Sequence, residues 1–334
     1  MRDGAPGVAI IGCGLIGRKR ASVLGPAHLI ACADVEIERA QELAKTSPGA
    51  VATRDWRNLL DRSDIDLFIV STTHDALAEV TLAAIEAGKH VLVEKPAARN
   101  RLELEPIRTA AMRKSVLIRV GFNHRYHPAM LKAHELFNAG VLGKMMFIRG
   151  RYGHGGRLGY DKEWRADPSI SGGGELIDQG IHLIDLARLF LGELSKVDGS
   201  AHTYFWNMPV DDNAFLLLKT PEQRAAFLHV SCTEWKNLFS LEIYGQNAKL
   251  HIEGLGGSYG VERLALYRML PQMGPPETTI WEYPQPDNSW AVEFAEFLED
   301  IRLQRKPSAN LDDACAALAI VESIYKESGY DHRS

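Results

Sequence analysis

The sequence predicts an α/β protein, with a doubly wound parallel sheet in its first third and a mainly antiparallel sheet behind it. Three observations predict this. Apolar, β-branched runs alternate with helical stretches between Val8 and Pro96. A glycine-rich turn closes the first of those runs, and beyond residue 196 short strand-like runs succeed one another across short turns. With 334 residues the chain exceeds what one hydrophobic core usually serves. Two domains are therefore expected, 1–122 and 123–334, with the C-terminal helices available to pack back on the first.

Val8-Ala9-Ile10-Ile11 reads as the first strand and Arg18 to Leu24 as a helix. Between them lies Gly12-Cys13-Gly14-Leu15-Ile16-Gly17, a GxGxxG turn in the strand-to-helix context that binds a dinucleotide. Gly12 would permit the tight turn, Gly14 would admit a pyrophosphate to the backbone, and Gly17 would let helix and strand pack closely. The helix N-terminus adds unpaired N–H groups and partial positive charge. The second strand, Leu29 to Ala33, ends at Asp34, 22 residues after Gly12. That is the spacing of the acid that binds a ribose 2′-hydroxyl and repels a 2′-phosphate, so NAD is expected over NADP. Arg39 could serve a 2′-phosphate, but in its setting it reads as an exposed helix face.

A third strand, Leu67–Val70, runs into Ser71-Thr72-Thr73-His74, and a helix follows from Ala76 to Ala87. The strand from His90 to Val93 then enters Glu94-Lys95-Pro96. Gly12, Asp34, Thr72 and Lys95 all fall at strand carboxyl ends, where such sheets bind ligands. A helix is expected at 129–139 and another over 175–191. Strands are expected at 197–205, 214–219, 225–232, 239–244 and 249–253. Gly254 to Gly260 reads as a loop, Met269 to Pro286 as an irregular, proline-rich excursion, and 290–301 and 311–325 as amphipathic helices.

Composition removes several function classes. Lys+Arg 38 against Asp+Glu 43 gives −5, with 46% hydrophobic residues, which opposes a disordered chain or a generally basic nucleic-acid binder. No stretch approaches the ~20 apolar residues of a membrane helix. The short polar stretch Met1–Gly7 does not read as a signal peptide. Cys13, Cys32, Cys232 and Cys315 are scattered without CxxC pairing, which fits buried thiols in a reducing cytoplasm.

Three segments occur in a telling order: the glycine turn at 12–17, Ala87-Gly88-Lys89-His90-Val91-Leu92-Val93-Glu94-Lys95-Pro96, and Gly172-Gly173-Gly174-Glu175-Leu176-Ile177-Asp178-Gln179-Gly180-Ile181-His182. Together they resemble the Gfo/Idh/MocA oxidoreductases, over nearly the whole chain. The resemblance implies an N-terminal Rossmann domain, a C-terminal α/β domain with an open, mainly antiparallel sheet, and a homodimer or homotetramer joined through that sheet. It also implies hydride exchange between a nicotinamide and a hydroxyl-bearing carbon of a sugar or cyclitol, without a metal. Lys95, Asp178 and His182 stand at the family's lysine, aspartate and histidine, and are the catalytic candidates. Leu15, Ile16, Thr72, Thr73, His74, Glu94 and Lys95 join Gly12, Gly14, Gly17 and Asp34 as cofactor-binding candidates. One departure is local: the family often reads T-P-N after the third strand with a histidine three residues on. Here Thr73, His74 and Leu77 occupy those places.

The chemistry suits the residues. Asp178 and His182 are four apart on a predicted helix and so share a face. A carboxylate near an imidazole favours its protonated form and orients it. His182 would take the hydroxyl proton, and Lys95 would stabilise the developing negative charge or share the proton transfer. Glu175, Asp178, His182 and Asp185 also fall at helical spacing that could suit a metal, but one helix supplying every ligand opposes it. From Arg119 to Arg165 nine Lys/Arg face three acids, a local +6. Arg125, Tyr152, His154, Arg157 and Arg165, with Lys95, Asp178 and His182, are therefore substrate-binding candidates, and an anionic or nucleotide-linked sugar is one expectation. Solvated arginines are the plainer reading. Two rival functions remain: a nicotinamide-binding regulatory protein, which would show no turnover, and an enzyme that recycles a tightly held cofactor, which would release no NADH.

Overall fold

The computed structural model describes residues 5–330. Of the Met1–Gly7 stretch, Met1 to Gly4 lie outside the described residues. Contacts divide the chain into two units. One comprises the chain up to Phe122 with Ile170–Gly172 and Trp290–Leu318; the other comprises Asn123–Ser169, Gly173–Ser289 and the chain from Ala319 onward.

The first unit runs β1 (Gly7–Ile11), α1 (Leu15–Ala21), β2 (His28–Ala33), α2 (Ile37–Ala44), β3 (Val51–Thr53), β4 (Leu67–Val70), α3 (His74–Glu86), β5 (His90–Glu94), α4 (Arg101–Lys114) and β6 (Ile118–Gly121). Its six parallel strands are ordered β3-β2-β1-β4-β5-β6, the doubly wound order whose switch point lies between β1 and β4. Strands β1 and β4 are buried throughout, as continuous apolar runs between two helical layers require. The edge strand β3 was not anticipated: three half-exposed residues carry too little periodicity to be read.

The second unit runs α5 (Pro128–Asn138), β7 (Met145–Gly153), the short α6 (Pro168–Ser171, whose last two residues belong to the first unit), α7 (Ile181–Leu191), β8 (Lys196–His202), β9 (Asn213–Lys219), β10 (Ala225–Ser231), β11 (Leu238–Gly245), β12 (Lys249–Glu253), β13 (Glu262–Arg268) and β14 (Glu277–Tyr283). The eight strands form one open sheet, β14-β13-β12-β11-β7-β10-β9-β8, antiparallel except where β10 pairs with β7. One face packs on α5 and α7 and is apolar. The other alternates exposed Phe147, Leu217, Phe227 and Ile280 with charged residues such as Arg149 and Glu242.

Three expectations need correction. The 269–286 segment contains β14, because its prolines at 271, 275, 276, 284 and 286 all flank the Thr-Thr-Ile-Trp run rather than interrupt it. The strand expected over 197–205 ends at His202. The helix expected over 175–191 begins as a π-helical turn, Leu176–Gly180, before α7 takes over.

The chain closes with α8 (Ser289–Leu303) and α9 (Leu311–Ser328). Phe294, Phe297 and Ile301 of α8 are buried with Val8, Ile10, Leu67, Ile69 and Leu92. Burying each such aromatic is worth about 1.5–3 kcal/mol.

Candidate functional site

In the first unit the three glycines of the turn answer three separate demands. Gly12 has φ +89°, and a Cβ there would lie 2.5 Å from the carbonyl oxygen of Ser71. A Cβ on Gly17 would lie 2.0 Å from the carbonyl oxygen of Gly12, so helix and turn close only without it. Gly14 is the opposite case: a Cβ would meet nothing within 4 Å, which leaves open space beside its backbone at the start of α1. That is the space a pyrophosphate requires. Asp34, just past β2, accepts hydrogen bonds from the Cys13 N–H at 2.7 Å and the Glu36 N–H at 2.9 Å. Its carboxylate is thereby fixed beside the glycine turn, as a ribose ligand must be. Among these residues the open cradle and the placed acid fit a dinucleotide.

The other candidates here have defined partners. Ser71 Oγ donates to the Gly12 carbonyl at 2.8 Å, and Thr72 Oγ1 to that of Thr73 at 3.0 Å. Thr73 stands at the N-cap of α3 and donates to Asp75 at 2.6 Å. The buried His74 directs Nδ1 to the Ser171 carbonyl at 2.8 Å. Glu94 accepts from Arg20 Nε at 2.7 Å, and Arg20 also pairs with Glu293 at 2.6 Å, beneath the Trp290 ring. This buried triad ties α1, the end of β5 and α8 together, and burial pushes the Glu293 carboxyl up. Lys95 follows β5 directly. Sequence reasoning missed Arg20 and Glu293, since an arginine in a helical stretch reads as solvated.

In the second unit the glycine run explains how the Asp178–His182 helix begins. Gly173 has φ +154°, and a Cβ there would strike the Tyr325 hydroxyl at 2.3 Å. A Cβ on Gly174 would lie 1.9 Å from the Asp211 carbonyl oxygen. The Asp211 carboxylate accepts from the N–H of Gly174 at 2.9 Å, the N–H of Leu176 at 2.8 Å and the Tyr325 hydroxyl at 2.7 Å. The orphan amides of the helix start are thus satisfied by a side chain far along the sequence. Burial, offset by these bonds, pushes the Asp211 carboxyl up to about 6. The π-helical turn that follows is a rare conformation enriched at functional sites.

Asp178 is buried and accepts from Arg165 Nε at 2.9 Å. That attraction is the main cause holding the Arg165 guanidinium above its usual pKa. His182, also buried, stacks its ring on His124, with centroids 3.8 Å apart and planes at 18°. The Tyr152 ring meets both histidines at 6.3 Å and 5.1 Å, and Tyr259 from the glycine-rich loop lies 5.3 Å from Tyr152. Burial pushes the Tyr152 phenol well up. Glu175 faces His154 at 3.5 Å and the Tyr160 hydroxyl at 3.5 Å. Burial opposes charge on His154, but Glu175 and Asp178 outweigh it and raise its pKa. His127 is buried against Glu262 at 3.0 Å. His124 and Tyr259 were not singled out from sequence. The compact His124-Arg125-Tyr126-His127 run just after a strand end was the available signal.

The local basic excess is largely neutralised. Arg119 pairs with Asp300, Arg125 with Asp185, Lys132 with Glu135, Arg149 with Glu242, Arg157 with Glu163 and Arg165 with Asp178. Arg125 and Asp185 are both buried, with Nε–Oδ2 at 2.7 Å, which makes this pair part of the fold's interior. Arg157 is exposed. Among the described residues no group of three or more His, Cys, Asp or Glu side chains is disposed to hold a metal ion. Nor is any helix there long and apolar enough to cross a membrane.

Comparison with known proteins agrees with this layout. Residues 7–122 match the family model described as an oxidoreductase family with an NAD-binding Rossmann fold, and residues 130–251 match the GFO/IDH/MocA C-terminal domain. The first unit is thus an NAD-binding Rossmann fold. Levoglucosan dehydrogenase of Pseudarthrobacter phenanthrenivorans is 34% identical over 188 residues, 53% of this chain and 46% of that protein. Inositol 2-dehydrogenase 2 of Saccharopolyspora erythraea is 28% identical over 222 residues, 64% of this chain and 62% of the other. The chain therefore spans about half the length of the curated relatives it matches. Among solved structures, levoglucosan dehydrogenase in complex with NADH and levoglucosan superposes with a TM-score of 0.88 at 22% identity, covering 98% of both chains. An oxidoreductase domain protein from Kribbella flavida gives 0.88 at 23%, again over 98% of each. At such identity these two structures show a shared fold.

Proposed function

Because the chain belongs to the Gfo/Idh/MocA oxidoreductase family, we propose that it oxidises a secondary alcohol of a sugar or cyclitol, or reduces the matching ketone, with NAD. The observation that carries this reading is the pinned start of the Asp178–His182 helix. Two close-packed glycines and a buried carboxylate are given over to fixing one turn of backbone, and that turn leads into the candidate proton acceptor. Such fixation is what proton transfer at a defined atom demands.

Bound nicotinamide supplies the hydride acceptor. His182 takes the hydroxyl proton, since an imidazole exchanges protons near neutral pH. Asp178, held by Arg165, orients the acid–base end of the helix. Lys95 stabilises the negative charge that develops on the reacting oxygen. Asp34 receives the adenosine ribose, and the open backbone of Gly14 receives the pyrophosphate. The substrate is a neutral polyol. Six of the nine basic residues between 119 and 165 already hold carboxylates, which weakens the case for an anionic or nucleotide-linked sugar. The polyol names of the two curated relatives support the neutral class. The four cysteines are unpaired thiols, consistent with a cytoplasmic home. The mixed apolar and charged outer face of the open sheet suits a homodimer or homotetramer.

Lys95→Ala and His182→Ala test the assignment. Each is expected to cut turnover by orders of magnitude while NADH titration gives a near-normal Kd. Near-normal turnover in both variants, over a panel of sugars, uronates and cyclitols, would overturn the reading.

A further inference from the structure

We propose that Phe205, Trp206 and Trp235 form a carbohydrate-binding subsite, so that the substrate carries a second sugar ring beyond the one that reacts. The proposal deepens the sugar-oxidoreductase reading above and rests on it. Phe205 is 56% exposed and Trp235 84% exposed, yet they are not scattered. Phe205 meets Trp206 at 5.0 Å and 88°, and Trp235 at 5.5 Å and 69°. A cluster of bare aromatic rings is unfavourable in water and marks a surface that binds something.

The cluster is also built. Asp212, fully buried, accepts from the N–H groups of Tyr204, Phe205 and Trp206 at 2.9, 2.8 and 3.0 Å. The Trp206 indole N–H donates to the Cys232 carbonyl at 3.0 Å. Gly156, with φ +67°, lets the chain pass beneath the Trp206 ring, where a Cβ would lie 2.4 Å away. The Trp206 ring is thus held in advance and loses little freedom when a ligand arrives.

The cluster is continuous with the candidate site. Trp206 lies 5.6 Å from the Tyr160 ring, and the Tyr160 hydroxyl reaches Glu175 at 3.5 Å, one turn before Asp178. Consecutive residues fix both ends: Asp211 caps the helix, and Asp212 holds the aromatic loop. A pyranose presents a C–H face to an aromatic ring and hydroxyls to the rim, so a neutral sugar is the ligand that suits indole and phenyl faces leading to buried carboxylates.

The test uses the full chain with NADH present and glucose, cellobiose and maltose as probes. Binding is read by calorimetry and turnover by NADH absorbance. At least one disaccharide is expected to bind about tenfold more tightly than glucose. Trp235→Ala and Phe205→Ala, both at exposed positions, are expected to erase that preference, and Trp235→Phe to restore part of it. Equal binding of glucose and disaccharides, unmoved by Trp235→Ala, overturns the subsite while leaving the oxidoreductase reading intact. Tryptophan-dependent disaccharide binding supports the subsite whether or not these three sugars turn over, and the oxidoreductase reading stands or falls separately on turnover across the wider panel of sugars, uronates and cyclitols. An oligomer that dissociates on Trp235→Ala, seen by light scattering, assigns the surface to a second copy of the chain and overturns the proposal.

Discussion

Gly14→Ala separates a glycine kept for a ligand from one kept for the fold. The backbone at Gly14 is extended, with φ −69° and ψ −158°, so no left-handed conformation reserves the place for glycine. A Cβ there would meet no heavy atom within 4 Å, so the free protein should tolerate the methyl group. It should even gain up to about 0.4–1 kcal/mol from the reduced freedom of the unfolded chain. Cofactor binding is another matter, because the methyl group fills the space through which a pyrophosphate would approach the amide. Losing one charge-assisted hydrogen bond costs about 1.5–3 kcal/mol. That corresponds to a roughly 10- to 150-fold rise in the NADH Kd. NADH fluorescence titration gives the affinity, and thermal unfolding without cofactor gives the stability. Gly17→Ala is the contrasting variant, since its Cβ would sit 2.0 Å from the Gly12 carbonyl oxygen and must displace backbone. It should lower Tm in the free protein. Gly14→Ala binding NADH within twofold of the parent, or losing as much stability as Gly17→Ala, would refute the cradle.

Three further outcomes follow from the same geometry. Asp185→Asn removes the carboxylate charge that pairs with the buried Arg125 guanidinium and should cost up to about 3–5 kcal/mol in chemical denaturation; an unchanged midpoint with a raised substrate KM would instead make Arg125 a substrate ligand. Gly174→Ala forces a Cβ to 1.9 Å from the Asp211 carbonyl and should depress turnover more than NADH affinity, because the disturbed backbone leads to His182 rather than to the glycine turn; equal losses in both would contradict this. His154 has a raised pKa in the folded state. A raised imidazole pKa contributes stability that is complete below the ordinary value near 6.5 and is lost as pH rises through the folded value. The stability difference between the parent and His154→Gln should accordingly be larger at about pH 6 than at about pH 9, by urea denaturation. A difference that grows with pH would show the sign to be wrong.

Much of the first unit was legible in the sequence because its information is local. A β-branched run, a GxGxxG turn and an acid 22 residues after Gly12 each depend on neighbours in the chain, and the resulting β1, β2 and Asp34 stand where the residues indicated, while α1 starts three residues earlier than expected, inside the glycine turn. The antiparallel character of the second sheet was legible for the same reason. What failed was also local in origin: β14 hid between flanking prolines, and the π-wound turn at Leu176–Gly180 has no periodicity that distinguishes it from an ordinary helix start.

The sequence by itself determined the alternation of strands and helices in the first unit, the succession of short strands in the second, and which residue types stand at the strand ends. Only the tertiary structure decided which charges are used up in ion pairs and which side chain caps which turn. Arg125 finds Asp185 across 60 positions, Arg20 finds Glu293 across 273, and Asp211 reaches back to Gly174 across 37. Six of the nine basic residues in the +6 segment have carboxylate partners that no local pattern could name. The physical reason is that periodicity encodes which face of an element is apolar. Electrostatic pairing and capping depend instead on what packs against that face, and the partner comes from a distant part of the chain.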